Sequence, residues 1–173
     1  VQGLSFVVSS NHKSIMQVKT IRAMEVLCFE TETTLEKMQQ YIRIMARRLY
    51  SEASKLDLEI TGPIYWLYDG ADGKPDTIFK LTIALPVTTS DRKITGSEFR
   101  IQTLDTFFCL AEQHLGNWMD LGKTYCNLMM AVNEKNLQVS GLVREIYLNM
   151  DFHNPEANIT EVQMGLLHKD LMA

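Results

Sequence analysis

Glu145 and Tyr147 stand two residues apart in the run Val143-Arg144-Glu145-Ile146-Tyr147-Leu148. In an extended strand that spacing puts Val143, Glu145 and Tyr147 on one face and Arg144, Ile146 and Leu148 on the other. The same parity groups Ile64, Trp66 and Tyr68 in the run Ile64-Tyr65-Trp66-Leu67-Tyr68. A carboxylate beside broad aromatic surfaces suits an organic cation, whose charge pairs with it while its apolar parts cover the rings. The other reading is a solvent-facing glutamate with ordinary strand aromatics. Glu145 would also serve as a general base if partial burial raised its pKa, with Tyr147 orienting a ligand, although spacing alone shows no such shift.

Other chemistry-bearing residues give weaker patterns. His12, His114, His153 and His168 have no metal-ligand spacing, and no His-Glu-x-x-His occurs, so no metal or other cofactor is expected. Asp69-Gly70-Ala71-Asp72-Gly73 reads as a turn, because it is not the full twelve-residue calcium loop. Cys28, Cys109 and Cys126 are odd in number and widely spaced, which favours buried free thiols over a disulfide framework or a zinc knuckle. Cys109 is a nominal nucleophile with His114 five residues on, but nothing requires their side chains to meet. Met129-Met130 reads as core filling rather than as a haem or copper site.

The chain that must position these groups has 173 residues, 46% of them hydrophobic, enough for one sizeable core or for two small lobes sharing one. Lys and Arg number 17 against 21 Asp and Glu, a net charge of −4, which fits a polybasic nucleic-acid module badly and leaves room for a cationic ligand. No stretch approaches the roughly 20 apolar residues that cross a bilayer, so membrane insertion is not expected. A cytoplasmic location is expected, while the start at Val1 leaves open a processed export signal or another domain upstream.

Residues 1–15 read as an N-terminal arm, and residues 16–173 as a single domain. Met16 to Phe29 favours one long strand. Thr33 and Glu36 form a capping-box pair ahead of Leu35, Met38, Ile42, Met45, Leu49, Ala53 and Leu56, whose spacing is that of one helical face. Gly62-Pro63 opens a strand over Ile64 to Tyr68, and Thr77 to Val87 alternates with Phe79, Leu81, Ile83, Leu85 and Val87 inward and Lys80, Thr82 and Ala84 on a wetter face. After a polar loop from Thr88 to Gly96, Phe99 to Leu110 returns to strand composition. Asn117 is placed to cap a helix from Trp118 to Glu134 with Leu121, Tyr125, Leu128, Met129 and Val132 inward. Strands Val143 to Met150 and Thr160 to Leu166 follow, separated by a loop at Pro155.

That order repeats. The segment around Cys28 (VLCFE) echoes the one around Cys109 (FFCLAE), and TGPIYWLYDG parallels SGLVREIYLN, equating Gly62 with Gly141, Trp66 with Glu145 and Tyr68 with Tyr147. The fold class is α+β: two βαββ units, about 16–90 and 97–167, related by a pseudo-two-fold, with an antiparallel sheet, two main helices and a central cleft. Neither unit buries its helix and sheet face well alone, so their joining completes the core and leaves a seam. Across it Trp66, Tyr68 and Tyr147 approach Glu145.

The motifs TGPIYWLYDG, DTIFKLTIALPV, FFCLAEQHLGNWMDLGKTYCNLM, VREIYLN and ITEVQM, taken in order, resemble the GyrI-like family, also described as the effector-binding domain of many bacterial transcription activators. The resemblance spans roughly Val18 to Leu166 and implies two βαββ units around a ligand cleft. It carries the family's acidic pocket residue, in a Glu-x-Tyr context, onto Glu145 and Tyr147, and its strand aromatics onto Trp66 and Tyr68. His114 and Gly116 match the family's His-x-Gly, but Asn117-Trp118 follows where the family tends to show proline and an aromatic, and loss of the proline changes how the loop enters the helix on that side of the cleft. The implied function is binding of a small organic ligand, cationic or amphipathic, by a stand-alone sensor or sequestering domain without turnover. Family members also include hydrolases of reactive small molecules and protein-binding modules, so hydrolysis using Glu145 and a protein partner are the two alternatives. Direct nucleic-acid binding by residues 1–173 is not expected, although an upstream domain could supply it.

Overall fold

The computed structural model describes residues 16–88 and 97–167; the expected arm at 1–15, His12, His168 and most of the 88–96 loop lie outside the described residues. Eleven regular elements follow in order: β1 (Gln17–Ile21), β2 (Met24–Thr33), α1 (Ile44–Lys55), β3 (Glu59–Ile60), β4 (Tyr65–Asp69), β5 (Phe79–Thr88), β6 (Arg100–Leu104), β7 (Phe107–Leu115), α2 (Leu121–Glu134), β8 (Val139–Asn149) and β9 (Ile159–Leu166). The strands form one antiparallel sheet in the order β1-β7-β9-β8-β4-β5-β2-β6, with short β3 paired to β5. The two βαββ units are β2-α1-β4-β5 and β7-α2-β8-β9. They join where β4 pairs with β8, so the central strands are those carrying the aromatic and Glu-x-Tyr motifs.

Trp66 and Glu145 are register partners across that joint. The repeat equates the same two residues, so the pseudo-two-fold axis passes between them. The pairing is extended on both sides by Gly70 N–H donating to the Gly141 carbonyl and Tyr147 N–H to the Ile64 carbonyl, each at 3.2 Å. The two equated glycines differ locally: Gly141 has φ +85 at a register shift of β8, while Gly62 has no such conformation.

Met16 to Phe29 is not one strand. β1 pairs with β7 of the second unit, whereas β2 pairs with β5 and β6. Only Arg22 and Ala23 connect them, so these two ends of the sheet approach within about 11 Å, and the sheet must curl. Phe99 to Leu110 divides in the same way at Asp105-Thr106, with β6 crossing to β2 of the first unit. Each unit therefore lends its leading strand to the other. The curl also changes one expectation for β5. Lys80 is exposed, but Thr82 and Ala84 are buried, because the face away from the helices closes over Val26, Cys28, Leu67 and Leu104.

Both helices lie on the opposite face. α1 packs Met45, Ala46, Leu49 and Ala53 against β2, β4 and β5, and α2 packs Leu128, Ala131 and Val132 against β7 and β9. Val143 touches both clusters and fuses them at the joint. The first helix starts later than its spacing implies. A 3-10 turn covers Met38–Gln40, and Arg43, at φ 68, separates it from α1. Neither the 3-10 turn nor α1 has a side-chain cap; the Thr34 hydroxyl accepts the Lys37 N–H at 3.3 Å in the turn ahead of them, and Thr33 is still in β2. At the second helix Asn117 caps as expected, accepting the Met119 N–H at 3.0 Å before a 3-10 turn over Trp118–Asp120.

Candidate functional site

The helices cover the outer strands of each half and leave the centre of the sheet between them open. There a cleft of about 800 Å³ has Trp66, Tyr68, Glu145 and Tyr147 as its floor. Met38, Ile42 and Ala46 line the α1 side, Tyr125 and Met129 the α2 side, and Trp118 and Phe152 the rim. The four residues singled out from strand parity thus come together. Met129, expected in the inward stripe of α2, faces this cleft instead and is 44% exposed.

Glu145 is 6% exposed, and both of its carboxylate oxygens have hydrogen-bond donors. Its Oε2 accepts the hydroxyls of Tyr68 and Tyr147, and its Oε1 accepts that of Tyr125, each at 2.7 Å. Burial, and then the neighbouring Glu145 charge, push all three phenols well above their ordinary pKa. They remain protonated donors through the neutral range, which fixes the carboxylate in one orientation. Tyr147 sits edge-on to Trp66 at 6.2 Å between centroids and to Trp118 at 5.8 Å; Trp118 in turn meets Phe152 at 5.2 Å. Trp118 is itself held by its indole N–H, which donates to the Thr160 hydroxyl at 3.0 Å. The arrangement is a buried, oriented carboxylate at the end of an aromatic-walled path, and it can pair with a positive or hydrogen-bond-donating group inside an apolar enclosure.

Tyr125, Trp118, Phe152 and Arg43 belong to the cleft and were not singled out from the sequence. Tyr125 was read only as part of an apolar helical stripe. A signal was present, since a tyrosine hydroxyl carried toward a core needs a partner there. Trp118 comes from the 3-10 turn ahead of α2 and Phe152 from the β8–β9 connection, neither of which local patterning can aim.

Strand parity also decides whether Cys109 and His114 can meet. Cys109 and His114 lie on opposite faces of β7, so they form no nucleophile–base pair. The His114 ring faces α2, with Nδ1 at 3.0 Å from the Thr124 hydroxyl and Nε2 at 2.8 Å from the Asn117 carbonyl, and burial pushes the Cys109 thiol up to about 11. Cys28 and Cys109 are buried free thiols as expected, but Cys126 is exposed on α2. The Asp69 to Gly73 segment is a turn in which Gly70 and Gly73 take positive φ. Among the described residues no cluster of three metal-ligating side chains occurs, and no helix is long and apolar enough to cross a membrane.

No protein-family model and no curated protein matches the sequence. Solved structures do match. The C-terminal domain of EcmrR superposes with a TM-score of 0.72 at 16% identity, covering 90% of this chain and 98% of that domain. EcmrR in its complex with DNA gives the same TM-score at 18% identity over 88% of this chain, which spans only 57% of that longer protein. SAV2435 bound to tetraphenylphosphonium gives 0.61 at 16% identity, over 89% and 94% of the two chains. A protein from Listeria innocua described as a hydrolase gives 0.63 at 13% identity, over 88% and 91%. At these identities the likeness is one of fold.

Proposed function

We propose that this chain binds a lipophilic organic cation in the cleft between its two βαββ units and acts as a sensor or sequestering domain without turnover. The observation that carries the reading is Glu145. It is a single buried carboxylate oriented by three phenol donors in an otherwise apolar, aromatic enclosure. Among the described cleft-lining residues the only other carboxylate is Asp72, on the turn after β4. A buried charge of one sign is costly to maintain and most useful when a ligand of the opposite sign completes it. The phosphonium cation bound by SAV2435, a protein of the same fold, supports this class of ligand.

Calorimetric titration with tetraphenylphosphonium and with neutral triphenylphosphine oxide tests the reading. Glu145→Gln keeps the shape and removes the charge. It is expected to weaken binding of the cation by about 5-fold to 150-fold, roughly 1 to 3 kcal/mol, and that of the neutral compound by less. Equal losses for both would reject charge selection, and unchanged affinities would remove Glu145 from the site. Incubation with reactive esters, read by mass spectrometry, decides the hydrolase alternative: product formed by the wild type and lost in Glu145→Gln would replace binding with catalysis. A regulatory role for the occupied cleft belongs to the same proposal. It would be read by whether tetraphenylphosphonium alters the affinity of a longer protein containing this domain for its DNA.

A further inference from the structure

We propose that Arg43 sets the charge selectivity of the cleft. Its guanidinium is a resident cation at the mouth, lying on an aromatic face that an organic cation would otherwise use. The inference rests on the binding reading above and adds to it a residue that works against Glu145.

Arg43 occupies the break between the 3-10 turn and α1, at φ 68 and ψ −35. That conformation is sparsely populated for a residue with a Cβ, and it takes Arg43 out of the helical path at the cleft edge. Its guanidinium carbon lies 4.0 Å from the centroid of Phe152. Phe152 belongs to the connection between β8 and β9, so the contact runs from the first unit to the second across the mouth. Phe152 is also the outermost rung of a ladder that continues through Trp118 to Tyr147, whose hydroxyl reaches Glu145. Among the described residues three charged side chains line the cleft, Arg43, Asp72 and Glu145; Arg43 is the one cation of these, and no described carboxylate forms an ion pair with it.

An incoming cation therefore meets two obstacles at the rim. Arg43 already covers the Phe152 face, and its charge repels the ligand until the side chain swings into solvent, where it is free to go because Arg43 is exposed. A neutral ligand of the same shape meets only the first, and can stack on the arginine instead. Glu145 draws cations in, and Arg43 raises the threshold that they must pass, so weakly lipophilic cations are excluded while large aromatic ones gain enough from the deeper rungs to displace it.

The test compares the wild type, Arg43→Gln and Arg43→Lys with tetraphenylphosphonium and triphenylphosphine oxide, by calorimetry and stopped-flow fluorescence. Arg43→Gln is expected to tighten cation binding by about 2-fold to 10-fold, mostly through faster association, with the neutral compound changing less than about 2-fold. Arg43→Lys keeps the charge and stays close to the wild type toward the cation. Added salt speeds association of the cation with the wild type relative to Arg43→Gln, because it screens the repulsion. Equal changes for both probes, a loss of cation affinity in Arg43→Gln, or Arg43→Lys behaving as Arg43→Gln would each overturn the proposal. If the wild type bound neither probe, the binding reading would fail on its own. Amide exchange then judges the contact, since Arg43→Gln must speed exchange at His153 and Asn154, whose N–H groups donate to Asp151, and unchanged exchange overturns it.

Discussion

Tyr68 and Tyr147, which occupy equivalent places in the two halves of the chain, donate to the same carboxylate oxygen, Glu145 Oε2, each at 2.7 Å. The pseudo-two-fold axis between Trp66 and Glu145 makes this convergence geometrically natural. On the axis itself the symmetry is broken, one half supplying an indole and the other an acid. That substitution turns a symmetric aromatic floor into a site with a direction.

Two donors on one acceptor oxygen compete for its electron density. Tyr68→Phe and Tyr147→Phe should each lower stability by about 1 to 2 kcal/mol, because the surviving bond strengthens. The double variant should lose more than the sum of the two. Urea denaturation of the four proteins provides the cycle, and simple additivity would show that the two phenols act independently on Glu145.

Alkaline titration should expose the same cluster. An acidic group whose pKa is raised by folding keeps its proton longer in the native than in the unfolded state, so its contribution is intact at low pH and is lost as pH rises past the unfolded value. Cys109, pushed up to about 11 from 9.0, should begin to erode stability above about pH 9. Tyr68, Tyr125 and Tyr147 should add to the decline above about pH 10. Absorbance at 295 nm should show these three phenols ionising only together with unfolding, and reversible ionisation in the folded protein would contradict their enclosure.

Thiol reactivity should be strongly divided. Cys126 is exposed and should react with a disulfide reagent at pH 8 within minutes, whereas Cys28 and Cys109 have no exposed surface and pKa values raised by burial. One thiol released from the native protein and three in denaturant is the expected count. Two fast thiols would mean that the curled face of the sheet opens readily.

Gly165 in β9 faces that curled side. A Cβ there would lie 2.7 Å from the Leu142 carbonyl oxygen and 2.8 Å from the Phe107 ring, with the Ser140 hydroxyl closer still. The same Phe107 ring carries the Arg144 guanidinium, 3.9 Å from its centroid. Gly165→Ala should therefore cost about 1 to 3 kcal/mol by overpacking, seen as a lower Tm, while leaving the cleft on the other face intact. Ligand affinity falling as far as stability would show that the two faces are coupled through β8.

Much of this was legible in the residues themselves. Parity put Glu145 with Tyr147 and Trp66 with Tyr68, the helical stripes fixed which side of α1 and α2 turned inward, and the echo between TGPIYWLYDG and SGLVREIYLN equated the residues that meet at the joint. These are local properties, set by the two-residue period of a strand and the 3.6-residue period of a helix, and by where Asn117 can cap. The strand exchange was not legible. β1 and β2 share one apolar, β-branched run, and only pairing with opposite ends of a curled sheet breaks it at Arg22-Ala23. Nor was the third donor to Glu145, because Tyr125 fits a core stripe equally well until α2 is set against the sheet. Phe152 and Arg43 were hidden for the same reason. A loop and a helix break acquire direction from what they pack against, so the sequence determined the faces and the repeat, and the closing of one half upon the other decided which side chains share the cleft.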